Sequence, residues 1–369
     1  MIPGANRTEA SAERLEGGDV NVVNVVVCGH FNHGKTTLVK ALTGEWLDRL
    51  PHEREMGVTI EPARAFLEFR DTTISFVDVP GHRDYIRNML TSAWSADYAI
   101  LVVAADEGPC PGTIDHALVV SFYGARVLPV VNKVDLVDRN RVSEVADEVM
   151  DLLELLGVET VREPVLVSAK TGEGAEELLD ALAELEEPPR PSESDSLRAP
   201  VESTRRVGET TVDVFGVVDR GTLEEGWVEV QPGGLNAEVL EVESAGGFRP
   251  GSPFKARLKV EGSITRGMCL GEGLSTSDGI RAEVLSIGAK VRPGTMGKVH
   301  VLSAAANVEF VEVETHAGTE VIRPYAEGHN VAHVVLELDR EVVVEPGDRF
   351  LVTVGDEPAV LGVVEGAAR

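Results

Sequence analysis

"VVVCGHFNHGKTTLVKALTG" (residues 25–44) decides the reading of the amino-terminal half. An apolar run suited to a strand covered on both faces breaks at Gly29. After Gly34 it passes into "KTTLVKALTG", which has helical spacing. Gly29 to Thr36 therefore fit G-x-x-x-x-G-K-[ST] in the strand–loop–helix context that this loop requires. The glycines let backbone N–H groups face a phosphate, and the helix N-terminus adds partial positive charge. Asn32, His33, Gly34, Lys35, Thr36 and Thr37 are the candidate phosphate-binding residues. Lys35 is placed to bridge the β- and γ-phosphates, and the Thr36 hydroxyl to bind Mg2+. This loop by itself leaves ATP and GTP open.

"NKVD" (132–135) separates them. It follows the strand-like "RVLPVV", so it lies at a strand's C-terminal end, where ligands bind in such sheets. A carboxylate at Asp135 accepts from both N1–H and the exocyclic amine of guanine. Adenine would leave that carboxylate unpaired, a mismatch that is strongly rejected. Asn132 would bind the base or tie loops together, and the Lys133 stem would cover the base plane. "SAK" (Ser168, Ala169, Lys170) ends another strand and would offer a backbone N–H to the guanine oxygen. The expected ligand is thus GTP or GDP with Mg2+.

"DVPGH" (78–82) closes the strand-like "TISFVDV". Asp78 would hold Mg2+ through a water, and the Gly81 N–H would turn onto the γ-phosphate, so the following segment senses GTP against GDP. "REMGVTI" (54–60) supplies Thr59 as a second Mg2+ hydroxyl. His82 lies where a side chain orients the attacking water. His82→Ala is expected to keep GTP binding and lower stimulated hydrolysis roughly 10²-fold or more.

Working outward, residues 1–20 read as a loose tail, and 21–187 alternate apolar strands with amphipathic helices. This pattern predicts an α/β P-loop domain with a doubly wound, mostly parallel sheet. Helices are expected at "SEVADEVMDLLELLG" (143–157) and "GAEELLDALAELE" (174–186). Pro, Ser and charged residues mark 188–199 as a linker. Beyond it, short Val-rich runs between Gly turns predict two small β-barrels, 200–275 and 276–369.

Among 369 residues there are 34 Lys and Arg against 62 Asp and Glu, a formal charge of −28. That disfavours nonspecific attraction to nucleic acid, and DNA is not expected as a partner. No apolar run reaches membrane-span length, and no membrane partner is expected. Three scattered cysteines suit a reduced, cytoplasmic protein without a disulfide framework. A monomer is expected.

"GHFNHGKTT", "REMGVTI", "DVPGH", "NKVD" and "SAK", followed by two β-domains, resemble the translational GTPases of the EF-Tu class. The short reach of "KALTGEWLDRLPHEREMGVTI", and the last domain with "MGKVHVLSAAANVEF", are most similar to archaeal SelB, the selenocysteine-specific factor. "KALTGEW" is also similar to the gamma subunit of the archaeal and eukaryotic initiation factor. That family often carries a cysteine-rich insertion before D-x-P-G, and this sequence has none. The resemblance implies GTP-dependent capture of an aminoacyl-tRNA, delivery to the ribosome, and release after stimulated hydrolysis by His82. It also implies that Phe31 and Val58 form a hydrophobic gate holding the histidine from the water. Three departures stand out. Asn32 occupies a position where the family commonly has Asp, the sequence ends after the third domain, and Ser203 follows Glu202 where SelB usually has a basic residue. These favour a SelB-like paralogue that lacks the fourth domain. Arg54, Arg205 and Arg206 are the candidate RNA contacts. The alternatives are a GTP-switched regulatory module that carries no tRNA, and a metabolic GTPase subunit on an EF-Tu-like chain.

Overall fold

The computed structural model describes residues 21–44, 63–79, 93–193, 195–244, 247–315, 318, 321–322, 331–355 and 357–368. The chain divides into two compact units, 1–189 and 190–369.

The first unit is a six-stranded sheet in the order β2-β3-β1-β4-β5-β6. Its strands are β1 (Asn21–Cys28), β2 (Ala63–Phe69), β3 (Thr72–Asp78), β4 (Tyr98–Ala104), β5 (Arg126–Asn132) and β6 (Val165–Leu166). β1 runs parallel to β3 and β4, β4 to β5, and β5 to β6. Only β2 is antiparallel, pairing β3 at the sheet edge. Every residue of β4 and all but the first of β1 are buried, as expected of strands with both faces covered. The helices are α1 (Lys35–Thr43), α2 (Pro111–Phe122), α3 (Arg139–Leu155) and α4 (Ala175–Ala183).

Two boundaries differ from the sequence expectation. α3 starts four residues before Ser143, because the Asp138 carboxylate accepts from Asn140 N and Arg141 N at 3.0 Å and caps the helix there. The strand expected to end at "SAK" (168–170) is only two residues long, Val165–Leu166, although the Val167 N–H still donates to Val131 O at 2.8 Å. β1 has its successors on both sides, since the chain returns through β3 on one flank and β4 on the other. Such a switch point leaves a crevice at the strands' carboxyl ends.

The second unit holds two closed six-stranded barrels. The first contains β7 (Ala199–Arg206), β8 (Thr211–Val217), β9 (Gly226–Gln231), β10 (Leu235–Ser244), β11 (Pro253–Val260) and β12 (Cys269–Leu270). The second contains β13 (Thr276–Ser286), β14 (Met296–Val301), β15 (Ala304–Thr315), β16 (Val331–Val343), β17 (Arg349–Val354) and β18 (Glu357–Ala367). Inward and outward residues alternate, as the barrel interior demands. Register shifts between Val239 and Glu241, and between Phe310 and Glu312, turn Leu240 and Val311 outward as bulged residues. Arg198, at the entrance to β7, joins the barrels. Its nearly buried guanidinium meets Asp348 at 2.5 Å, and Glu345 and Asp219 at 3.5 Å. Arg220 also pairs with Glu345. No helix among the described residues is long and apolar enough to cross a membrane.

Candidate nucleotide site

The loop between β1 and α1 is shaped by positions that only particular residues fill. Gly29 has φ +131°, and a Cβ there would lie 2.2 Å from Val102 O on β4. Its N–H donates to Nδ1 of the buried His116 on α2 at 2.8 Å. Burial, then the nearby Lys35 charge, push the His116 pKa down to about 3, so the ring stays neutral and its lone pair receives this bond. Asn32 is left-handed with φ 62°, a conformation that Asn and Asp both tolerate.

Gly34, at φ +90°, immediately precedes α1, whose N-terminus has no side-chain cap. The first-turn N–H groups of such a helix are available to an anion. Lys35 is buried and donates from Nζ to Gly29 O at 3.0 Å and His30 O at 2.9 Å, so its ammonium lies over the loop. Thr36 is half-buried, whereas Asn32 and Thr37 are exposed. His33 turns its imidazole inward, with Nδ1 3.3 Å from Val102 O, and its main-chain N–H donates to His30 O at 3.4 Å. Backbone donors, one ammonium and a helix N-terminus around a loop that admits no Cβ at Gly29 or Gly34 suit a phosphate chain.

The second loop is tied to the first by Asn132, which ends β5 and is 2% exposed. Its Nδ2 donates to His33 O at 2.9 Å, and its Oδ1 accepts from Ala169 N at 3.0 Å. Of the two roles open to Asn132 in the sequence, the structure displays the tie. A Cβ on Gly34 would stand 2.4 Å from the same Nδ2. Asp135 lies in the 3-10 turn Val134–Leu136, exposed, and accepts from Ser168 Oγ at 2.7 Å. Ser168 Oγ in turn accepts from Thr171 N at 3.2 Å, while Lys170 is exposed. Lys133, at φ 62°, places Nζ 3.2 Å from Asp106 and 3.4 Å from Glu107.

The structure thus gathers Asn32, His33, Gly34, Lys35, Thr36, Asn132, Ala169, Asp135 and Ser168 at the carboxyl ends of β1, β5 and β6. Phe31 is half-buried in the first loop. Asp78 ends β3 opposite Val27, with its backbone alone described. Arg54, Val58, Thr59, Gly81 and His82 lie outside the described residues. His116 escapes the sequence reading altogether, since nothing local to α2 announces a partner on the loop after β1.

The profile of the family described as "Elongation factor Tu GTP binding domain" matches residues 20–188. Elongation factor 1-alpha of Methanopyrus kandleri is 35% identical over 276 residues, covering 66% of this chain and 61% of that protein. The selenocysteine-specific elongation factor of Desulfomicrobium baculatum is 38% identical over 224 residues, covering 59% of this chain and 35% of that protein. The chain therefore spans about three fifths and one third of these relatives' lengths. Among solved structures, SelB of Methanococcus maripaludis with the GTP analogue GppNHp superposes with a TM-score of 0.79 at 24% identity. It covers 95% of this chain and 80% of that one. A bacterial selenocysteine-specific elongation factor, EF-Sec, gives 0.78 at 27% identity, covering 92% and 58%.

Proposed function

We propose that the chain, whose residues 20–188 match the elongation factor Tu GTP-binding family, is a GTP-switched translation factor of the EF-Tu/SelB type. It binds and hydrolyses GTP, delivers an aminoacyl-tRNA to the ribosome, and acts as a cytoplasmic monomer. The observation that carries this reading is the Asn132 clamp. One buried amide draws the phosphate loop and the two base-reading loops into a single site.

In this reading the backbone from Asn32 to Thr37 and the Lys35 ammonium hold the phosphates. Lys35 exchanges its two loop carbonyls for phosphate oxygens, which are stronger charge-assisted acceptors. Thr36, Thr59 and Asp78 would hold Mg2+, which would supply charge neutralisation at the phosphate oxygens. Asp135 reads guanine while Ser168 holds its carboxylate in place, the main chain at Ala169 faces the base oxygen, and the Lys133 and Lys170 stems flank the base. Gly81 senses the γ-phosphate, His82 orients the attacking water, and Phe31 with Val58 gates it.

The test is filter binding of charged and uncharged tRNA with GTP, GDP and ATP. Retention of aminoacyl-tRNA with GTP, and not with GDP or ATP, is the expected outcome. Guanine-specific binding without any GTP-dependent tRNA preference would move the chain to the regulatory alternative. One observation favours that alternative. Arg205, a candidate RNA contact, is engaged at 2.8 Å with the fully buried carboxylate of Asp213.

A further inference from the structure

In the phosphate loop, the His33 imidazole is wholly buried. Its Nδ1 lies 3.3 Å from Val102 O. A carbonyl only accepts, so Nδ1 carries the ring proton and Nε2 presents a lone pair. Among the described residues Nε2 has no hydrogen-bond partner. It faces a carboxylate, with Glu107 Oε2 at 3.8 Å. A lone pair against a carboxylate is repulsive. Protonating the ring would relieve it, but burial drives the His33 pKa down to about 4. Cys110, the residue before α2, stands at the same place. One ligand atom each from His33, Glu107 and Cys110 lie within 4.8 Å of one another.

We propose that His33, Glu107 and Cys110 form a binding site for a borderline-soft divalent cation, Zn2+ by preference. Tetrahedral zinc holds nitrogen and oxygen at about 2.0 Å and sulfur at about 2.3 Å, which sets the three ligand atoms roughly 3.3–3.5 Å apart. The three groups need only a small inward movement. Val102 O supplies the carbonyl to which a metal-bound histidine ordinarily donates its other N–H. Lys133 occupies Glu107 Oε1 at 3.4 Å and leaves Oε2 to the metal. A nitrogen–sulfur–oxygen set suits zinc or cobalt, whereas Mg2+ and Ca2+ take oxygen ligands. This site is therefore distinct in chemistry from the Mg2+ site assigned to Thr36. Cys110 is partly exposed, which gives the ion an entry path and a fourth position for water. Its thiol now donates to Gly108 O at 3.6 Å. On binding, that proton leaves to solvent and a metal–thiolate bond replaces the contact. Because His33 directly precedes Gly34, the ion would staple the phosphate loop to the turn between β4 and α2.

Titration of the full chain with Co2+, without nucleotide, tests this. A thiolate-to-cobalt charge-transfer band and tetrahedral d–d bands are expected at one equivalent, and stoichiometric Zn2+ should abolish them. Cys28 and Cys269 are buried and do not compete for the ion. Cys110→Ser keeps a side chain suited to a helix cap, so it folds, as circular dichroism will verify. It should lose the charge-transfer band and weaken Zn2+ binding on the order of 10²-fold. Glu107→Gln should weaken binding about 10-fold or more and keep the band. Zn2+ should also protect Cys110 from alkylation in the wild-type chain. Absence of the band with wild-type protein, or its survival in Cys110→Ser, would overturn the proposal.

Discussion

Asn132→Ala removes the side chain that ties the phosphate loop to the base-reading loops. Two bonds are lost, one to His33 O at 2.9 Å and one from Ala169 N at 3.0 Å. A made hydrogen bond is worth about 1 kcal/mol net, and a buried orphan costs about 1–3 kcal/mol. His33 is buried, so its carbonyl stays orphaned, whereas half-buried Ala169 can reach water. The expected loss for the nucleotide-free protein is therefore about 2–4 kcal/mol, a large share of the roughly 5–15 kcal/mol that holds a domain together. On binding, the freed loops must be reordered, and about 1–2 kcal/mol of that cost should appear as a 5- to 30-fold rise in Kd for GDP. Urea unfolding of the nucleotide-free chain and titration of a fluorescent GDP analogue read the two effects separately. Asn132→Asp keeps the acceptor for Ala169 N–H but sets a carboxylate oxygen against His33 O, so it should be at least as damaging. If Asn132→Ala unfolds at the wild-type urea midpoint while its Kd rises, the residue acts on the base alone and the clamp is wrong.

Asp135→Asn should lower GTP affinity roughly 10²-fold or more while improving xanthosine triphosphate binding, because one of the two acceptors becomes a donor. The Ser168 hydroxyl still finds an oxygen at this position, so unfolding midpoints should not move. Acid should weaken the first unit through His116. Below its ordinary value of 6.5 the unfolded chain takes up a proton that the native ring refuses until about 3, so stability falls as pH drops through that window. His116→Gln keeps an acceptor for the Gly29 N–H and should make the fall of the unfolding midpoint between pH 6.5 and 4 shallower, leaving the share that buried His33 contributes in the same window. Arg198→Ala strands Asp219 and Asp348 beside Glu345 without their nearly buried cation, and should destabilise the barrel unit by about 3–5 kcal/mol in thermal or urea unfolding.

What is legible in the sequence is chemistry carried by neighbouring residues. The phosphate loop and N-K-x-D announce themselves within a few positions, and β4 reads as an unbroken apolar run, with β1 interrupted only by Asn24 within its length. What is illegible depends on partners far along the chain. His116 meets Gly29 across 87 positions. α2 is apolar nearly all round its axis, so no stripe marks it as a helix. A glycine in mid-strand is equally opaque in the sequence: a Cβ on Gly362 of β18 would stand 2.2 Å from the Phe350 ring of β17, so the barrel interior requires glycine there. The same dependence on register revises the RNA contacts. Arg205 stands directly opposite Asp213 in the β7–β8 ladder, and Arg257 on β11 reaches the same carboxylate at 2.8 Å. Burial would raise the Asp213 pKa, but the bonds from Arg257 and Arg205 hold it below the usual carboxylate range. Moving Arg205 onto an RNA phosphate would leave a buried carboxylate with one cation instead of two. Arg206 donates to the carbonyls of Gly208 and Glu209, which are neutral acceptors and easily exchanged for a phosphate. If this face meets RNA, Arg206→Ala should therefore flatten the salt dependence of tRNA binding by about one phosphate contact without moving the barrel's melting temperature. Arg205→Ala should lower that temperature instead.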